Sequence, residues 1–135
     1  MDMEAGQQAT RSLTVTRDMV EAYAGITGDY NPLHFDEEFA SRTRFGRLVA
    51  QGGIATGLLH ALVAMDLPGP GSVFTKQEWS FPAPVYIGDV ITATGTIAAA
   101  FPRRSMARME FTVVNQDGIE VLRGDATVLQ MRPWG

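Results

Sequence analysis

The chain has no cysteine. Disulfides, thiolate metal sites and cysteine nucleophiles are all excluded by that one absence, which also leaves the redox compartment unreported. Histidine is scarce, with two residues in all. This argues against a zinc site built on imidazoles. Excess positive charge is missing too. Eleven Lys and Arg stand against fifteen Asp and Glu, for a net charge of −4, a balance that argues against nucleic acid as a partner. No apolar run approaches the roughly 20 residues of a membrane span. The longest, residues 53–65, is interrupted by His60, so no membrane partner is expected. The start, MDMEAGQQATRS, lacks the basic opening and apolar core of a secretory signal, and the cytoplasm is the default location. Repeats, low-complexity segments and internal linkers are also absent.

What remains suits a single globular domain: 135 residues, 45% hydrophobic and 19% charged, enough to bury a core. Residues 1–11 read as a flexible tail and 12–135 as the domain. Residues 12–16 alternate and predict a short strand. Thr16 or Asp18 then opens a helix with an apolar stripe at Met19, Val20, Tyr23 and Ala24, ending near Gly28. Pro32 cannot continue it and pushes Asn31 out of the helical region. Residues 35–50 read as irregular, with a helical turn around 36–41. Residues 53–65 are apolar nearly all round and predict a central, buried helix, which LPGPG at 67–71 stops. Beyond residue 72 the period changes to two. Strands are expected over 72–81, 90–97, 106–114 and 119–131, with Asp117-Gly118 as a hairpin turn. Helical and strand patterns are segregated along the chain. The fold class is therefore α+β, an antiparallel sheet around the apolar helix.

Within that frame one stretch concentrates polar chemistry: GDYNPLH, residues 28–34. Asp29 and His34 follow a helix end on a loop stiffened by Pro32. A carboxylate and an imidazole that converge on one water make a general base and a general acid, with Asn31 to hold the water or brace the loop. The same letters also make good turn chemistry, because Asp and Asn cap helix ends. Gly52-Gly53 opens the apolar helix and exposes backbone N–H groups at its positive end, chemistry that suits the enolate oxygen of a thioester. Tight packing where the chain enters the helix is the alternative. His60, among leucines, reads as a hydrogen-bonded core residue. Arg42, Arg44 and Arg47 read either as a solvated face or as contacts to the phosphates of a nucleotide-bearing substrate.

Taken together, YAGITGDYNPLHFDEEFA (23–40), FGRLVAQGGIATGLL (45–59), LPGPGSVF (67–74) and FPAPVYIGDVITATGTI (81–97) resemble the MaoC-like, (R)-specific enoyl-CoA hydratases, the hydratase 2 family. The resemblance covers nearly the whole chain after residue 12. It implies a hot-dog fold, an antiparallel sheet wrapped round a long helix and paired as a homodimer or dimer of dimers. It also implies reversible hydration of a trans-2-enoyl thioester of CoA or a carrier protein, with no metal or redox cofactor. In that reading Asp29 activates water, His34 shares the water and delivers a proton to the α-carbon, and Asn31 supports them. The Gly52 N–H contributes to an oxyanion hole, and Gly53 borders the substrate. Two departures stand out. Gln51-Gly52 replaces the His-Gly common in the family, which leaves Gln51 a supporting hydrogen-bond role without titration. His60 aligns where a serine is frequent, which would place it on the substrate pocket. A hot-dog acyl thioesterase and a non-catalytic acyl-thioester-binding or structural subunit are the competing readings.

Overall fold

The computed structural model describes residues 3–133. Its elements run in the order β1 (Gln8–Thr14), α1 (Arg17–Thr27), α2 (Pro32–Phe35), α3 (Glu37–Ser41), α4 (Gly52–Met65), β2 (Ser72–Ser80), β3 (Val90–Phe101), β4 (Met106–Val114) and β5 (Glu120–Gln130). The five strands form one sheet in the order β1-β3-β4-β5-β2, every pair antiparallel. No helix is long and apolar enough to cross a membrane among the described residues.

The period-two segments become strands because alternate residues meet the helix. On β4, Ala107, Met109, Phe111 and Val113 are buried while their neighbours face out. On β3 the inward residues include Ile91, Ala93 and Ile97. Against them lies α4, with Leu58, Leu59, Leu62 and Val63 buried. Each such side chain contributes about 1.5–3 kcal/mol of burial, so this contact is where the fold's energy concentrates. Register shifts between Ile97 and Ala99 and between Phe74 and Lys76 bend the sheet, as bulges do. The curvature lets α4 touch β1, β2 and β3 together.

The N-terminal expectation needs correction. Residues 1–2 lie outside the described residues, but 3–11 are no flexible tail. Met3 is buried, the Gly6 N–H donates to the Ile97 carbonyl, and β1 starts at Gln8, pairing with Thr96. Ladder bonds to β3 supply what the polar sequence there does not advertise. The helical turn expected around 36–41 within the irregular 35–50 stretch forms as α3, and the short helix α2 before it is an addition to that reading. Pro32 sits in the first turn of α2, where its missing N–H costs nothing, and the Asp36 carboxylate caps α3 by accepting from the Phe39 N–H. The expected α1, α4 and four later strands all form, α1 between a Thr16 cap and a left-handed Gly28.

Candidate active site

Gly28 ends α1 with φ 81°, a left-handed turn that costs other residues about 1–2 kcal/mol. The turn throws Asp29 off the helix axis. Two residues on, the Asn31 side chain accepts from the Leu33 N–H and starts α2. Asn31 is thus a brace whose carbonyl oxygen is committed to the backbone. Asp29 in turn accepts from the Asn31 N–H at 3.4 Å, and its own N–H donates to the Thr27 hydroxyl. The loop is tied down at every second residue.

α2 carries His34 inward. Its side chain is 9% exposed, against 42% for Asp29, and Nε2 lies 3.9 Å from Asp29 Oδ1. That gap is too long for a direct hydrogen bond and suits one bridging water. Nδ1 lies 2.6 Å from the Val49 carbonyl oxygen. A carbonyl only accepts, so Nδ1 must hold a proton there. Nε2 is left outside that bond, and it is the nitrogen that faces the carboxylate.

The segment carrying Val49 is itself stitched in. The Val49 N–H donates to the Leu33 carbonyl, the Ala50 N–H to the Val85 carbonyl and the Tyr86 hydroxyl to the Phe45 carbonyl. Below Tyr86 the buried Asp89 accepts from the Tyr86 N–H and from the Gln116 amide. Residues 45–50 and 85–89 therefore form one hydrogen-bonded wall.

That wall borders a cavity of about 590 Å³ reached by Arg44, Val49, Gly52, Phe81, Pro82 and Tyr86, among others. Gly52 is the first residue of α4, so its N–H has no partner within the helix and sits at the positive end of the dipole. A side chain added there would press on the Phe81 ring at 3.3 Å. Neither Asp29 nor His34 lines this cavity. Val49 joins the two, lining the cavity while its carbonyl holds His34.

Three other expected site residues lie elsewhere. Gln51 is 2% exposed, and its amide nitrogen donates to the Val20 carbonyl. It ties the start of α4 to α1, and its Oε1 is buried without a partner. Gly53 does not border the cavity. A Cβ there would fall 1.8 Å from the Tyr23 hydroxyl oxygen, so glycine at this position serves the crossing of α1 over α4. His60 is neither core nor cavity lining. It is exposed, packs tilted against Phe74 with ring centroids 4.5 Å apart, and accepts at Nε2 from the Gln77 amide, whose oxygen takes the Trp79 indole N–H. Sequence reasoning missed the Val49 carbonyl, because a backbone atom leaves no trace in residue identity. Among the described residues no group of three or more His, Asp or Glu is placed to hold a metal ion.

A carboxylate and an imidazole 3.9 Å apart on a braced loop, in a chain whose long helix packs on an antiparallel sheet, are features of one class of molecule. The chain belongs to the MaoC-like domain family: the family model described as "MaoC like domain" matches residues 2–118. It is 34% identical over 128 residues to an (R)-specific enoyl-CoA hydratase of Rhodospirillum rubrum, covering 95% of this chain and 88% of that one. It is 39% identical over 127 residues to a 3-hydroxybutyryl-CoA dehydratase of Methylorubrum extorquens, covering 94% and 80%. Among solved structures, the (R)-hydratase from A. caviae involved in PHA biosynthesis superposes with a TM-score of 0.90 at 33% identity, over 96% of this chain and 98% of that one. The architecture is the hot-dog fold.

Proposed function

We propose that the protein is a hydro-lyase that reversibly hydrates trans-2-enoyl thioesters of CoA or a carrier protein to (R)-3-hydroxyacyl thioesters. The names of its relatives support the reaction class. The observation that carries the chemistry is the 3.9 Å approach of Asp29 Oδ1 to His34 Nε2 with Nδ1 already committed to Val49. A water held between them gives one proton to Asp29 as its oxygen adds to the β-carbon. His34, protonated at Nε2, supplies the proton that the α-carbon takes up. Because the Val49 carbonyl holds Nδ1–H in place, all proton traffic at His34 runs through one nitrogen. The charge that develops on the thioester oxygen falls to the Gly52 N–H and the positive end of α4. Dehydration runs the same steps backwards.

The assembly belongs to the same proposal. β2 is an edge strand with its outer ladder groups open and Val73 exposed, and a second copy pairing along it forms a homodimer. Sedimentation at micromolar concentration then gives twice the chain mass, and a monomer contradicts it.

The direct test of activity follows the enone absorbance of crotonyl-CoA. Wild type consumes it, and Asp29→Ala and His34→Ala each cost about 10² or more in rate. Unchanged turnover in both variants removes the reading. Release of free thiol in step with the fall in absorbance, with crotonate as the product, would point to a thioesterase instead.

A further inference from the structure

The three arginines that follow the acid–base loop have different fates. Arg42 pairs with Glu38 one turn back. Arg47 lies over the Tyr86 ring, its guanidinium carbon 3.8 Å from the ring centroid, and lines a separate depression together with Arg17 and Glu37. Arg44 is exposed and has no carboxylate partner among the described residues. Its guanidinium carbon lies 6.0 Å from the centroid of the Phe45 ring. It is also the one of the three that reaches the cavity bordered by Gly52.

Among the described residues, the wall of that cavity holds no Asp and no Glu. In a chain of net charge −4, its one formally charged side chain is a cation. The rest of the wall is largely apolar, with Val49, Ala55, Phe81, Pro82, Val85 and Val121. Gly52, the first residue of α4, is on the same wall. The cavity therefore offers a donor for a carbonyl, an apolar stretch, and a planar cation, all on one surface. A thioester carried on a pantetheine arm presents groups of the same three kinds: a carbonyl, a largely neutral chain and a phosphoryl group.

We propose that Arg44 receives a phosphoryl group of the substrate's pantetheine-linked arm and so selects phosphate-bearing thioesters. The identity of the arm rests on the hydratase reading above; the anion preference rests on the cavity alone. Arginine suits the task because its fork meets two phosphate oxygens at once. The shared chemistry is a phosphate on the arm, whether CoA or a carrier protein supplies it.

Calorimetric titration of CoA, 4′-phosphopantetheine and pantetheine into wild type, Arg44→Gln and Arg44→Lys decides the matter, with KM for the three crotonyl thioesters as the kinetic counterpart. Losing one charged hydrogen-bond pair should weaken CoA binding about tenfold in Arg44→Gln. Affinity for pantetheine, which has no phosphate, should stay at the wild-type value. Arg44→Lys should recover part of the loss, because the charge remains while the fork does not. A matching loss with phosphopantetheine assigns Arg44 to the phosphate that CoA and carrier share. A loss confined to CoA assigns it to the nucleotide-side phosphates, which only CoA has. Equal losses for CoA and pantetheine, no loss for either, or a wild type that binds CoA no better than pantetheine would each overturn the proposal. If wild type turns over none of the crotonyl thioesters, the hydratase reading falls, and the titrations still decide Arg44.

Discussion

Between Gly28 and Gln51 the chain is held by side chains reaching backbone. Thr27 meets the Asp29 N–H, Asn31 the Leu33 N–H, Asp36 the Phe39 N–H, His34 the Val49 carbonyl and Gln51 the Val20 carbonyl. From Gly52 to Gln130 the opposite holds: Leu59, Leu62, Ile91, Ile97, Met109 and Phe111 are sealed between helix and sheet. A neutral hydrogen bond of the first kind is worth about 0.5–1.5 kcal/mol net but fixes direction to a few tenths of an ångström. Burial of the second kind is worth more and has no direction. Stability is therefore concentrated in the body and aim in the loop, and Asp29 and His34 hang where aim is available. The two meet at Val49 and Gly52, where the wall of hydrogen bonds borders the first turn of the apolar helix.

Substitutions in the two regions should separate accordingly. The largest effect on stability is expected from Leu62→Ala, which empties a fully buried site between α4 and the sheet and should cost about 2–5 kcal/mol by urea denaturation. The folded fraction should keep near-wild-type turnover per molecule. Next is Gly53→Ala, whose Cβ would strike the Tyr23 hydroxyl. A loss of about 1–3 kcal/mol is expected from this overpacking, and Tyr23→Ala introduced alongside it should return part of that. If Gly53→Ala lowers affinity for thioester without lowering stability, the glycine belongs to the substrate surface after all. A smaller effect is expected from Asn31→Ala, which removes the α2 cap. It should cost about 1 kcal/mol. Were all of that to appear in positioning, turnover would fall about fivefold. A crotonyl-CoA assay beside a thermal melt reads both quantities. Smallest is Arg123→Ala, which breaks an exposed pair with Glu120 and should move stability by less than about 1 kcal/mol.

The body was easier to read from sequence than the loop. Strand alternation on β4, the all-round apolar α4, and the ends of α1 at Thr16 and Gly28 are local patterns, and each survives into the fold. β1 was read four residues short because Gln8, Ala9, Thr10 and Arg11 carry no alternation of their own and are held by the register with β3. Spacing on a stiffened loop offers Asp29 and His34 as a pair alongside a plain turn reading, and the family resemblance is what gives the two their roles. The partner that fixes the imidazole could not be read, since the Val49 carbonyl lies fifteen residues away and any residue would offer it. Gln51, Gly53 and His60 show the same boundary. Each has a side chain, or lack of one, that suits a site. Each is explained instead by a contact that only packing reveals: Val20 for Gln51, Tyr23 for Gly53, and Gln77 with Phe74 for His60.

The claim at the centre is that one water is shared between Asp29 and His34, and a double-mutant cycle on kcat with crotonyl-CoA tests it most directly. Two groups that act as a unit lose their effect together. Asp29→Asn and His34→Gln should each lower kcat by about 10² or more, and the double variant should fall little below the worse single one. Losses that multiply, or a single variant that turns over like wild type, would mean that the two side chains act on different atoms and that their 3.9 Å approach has no catalytic meaning.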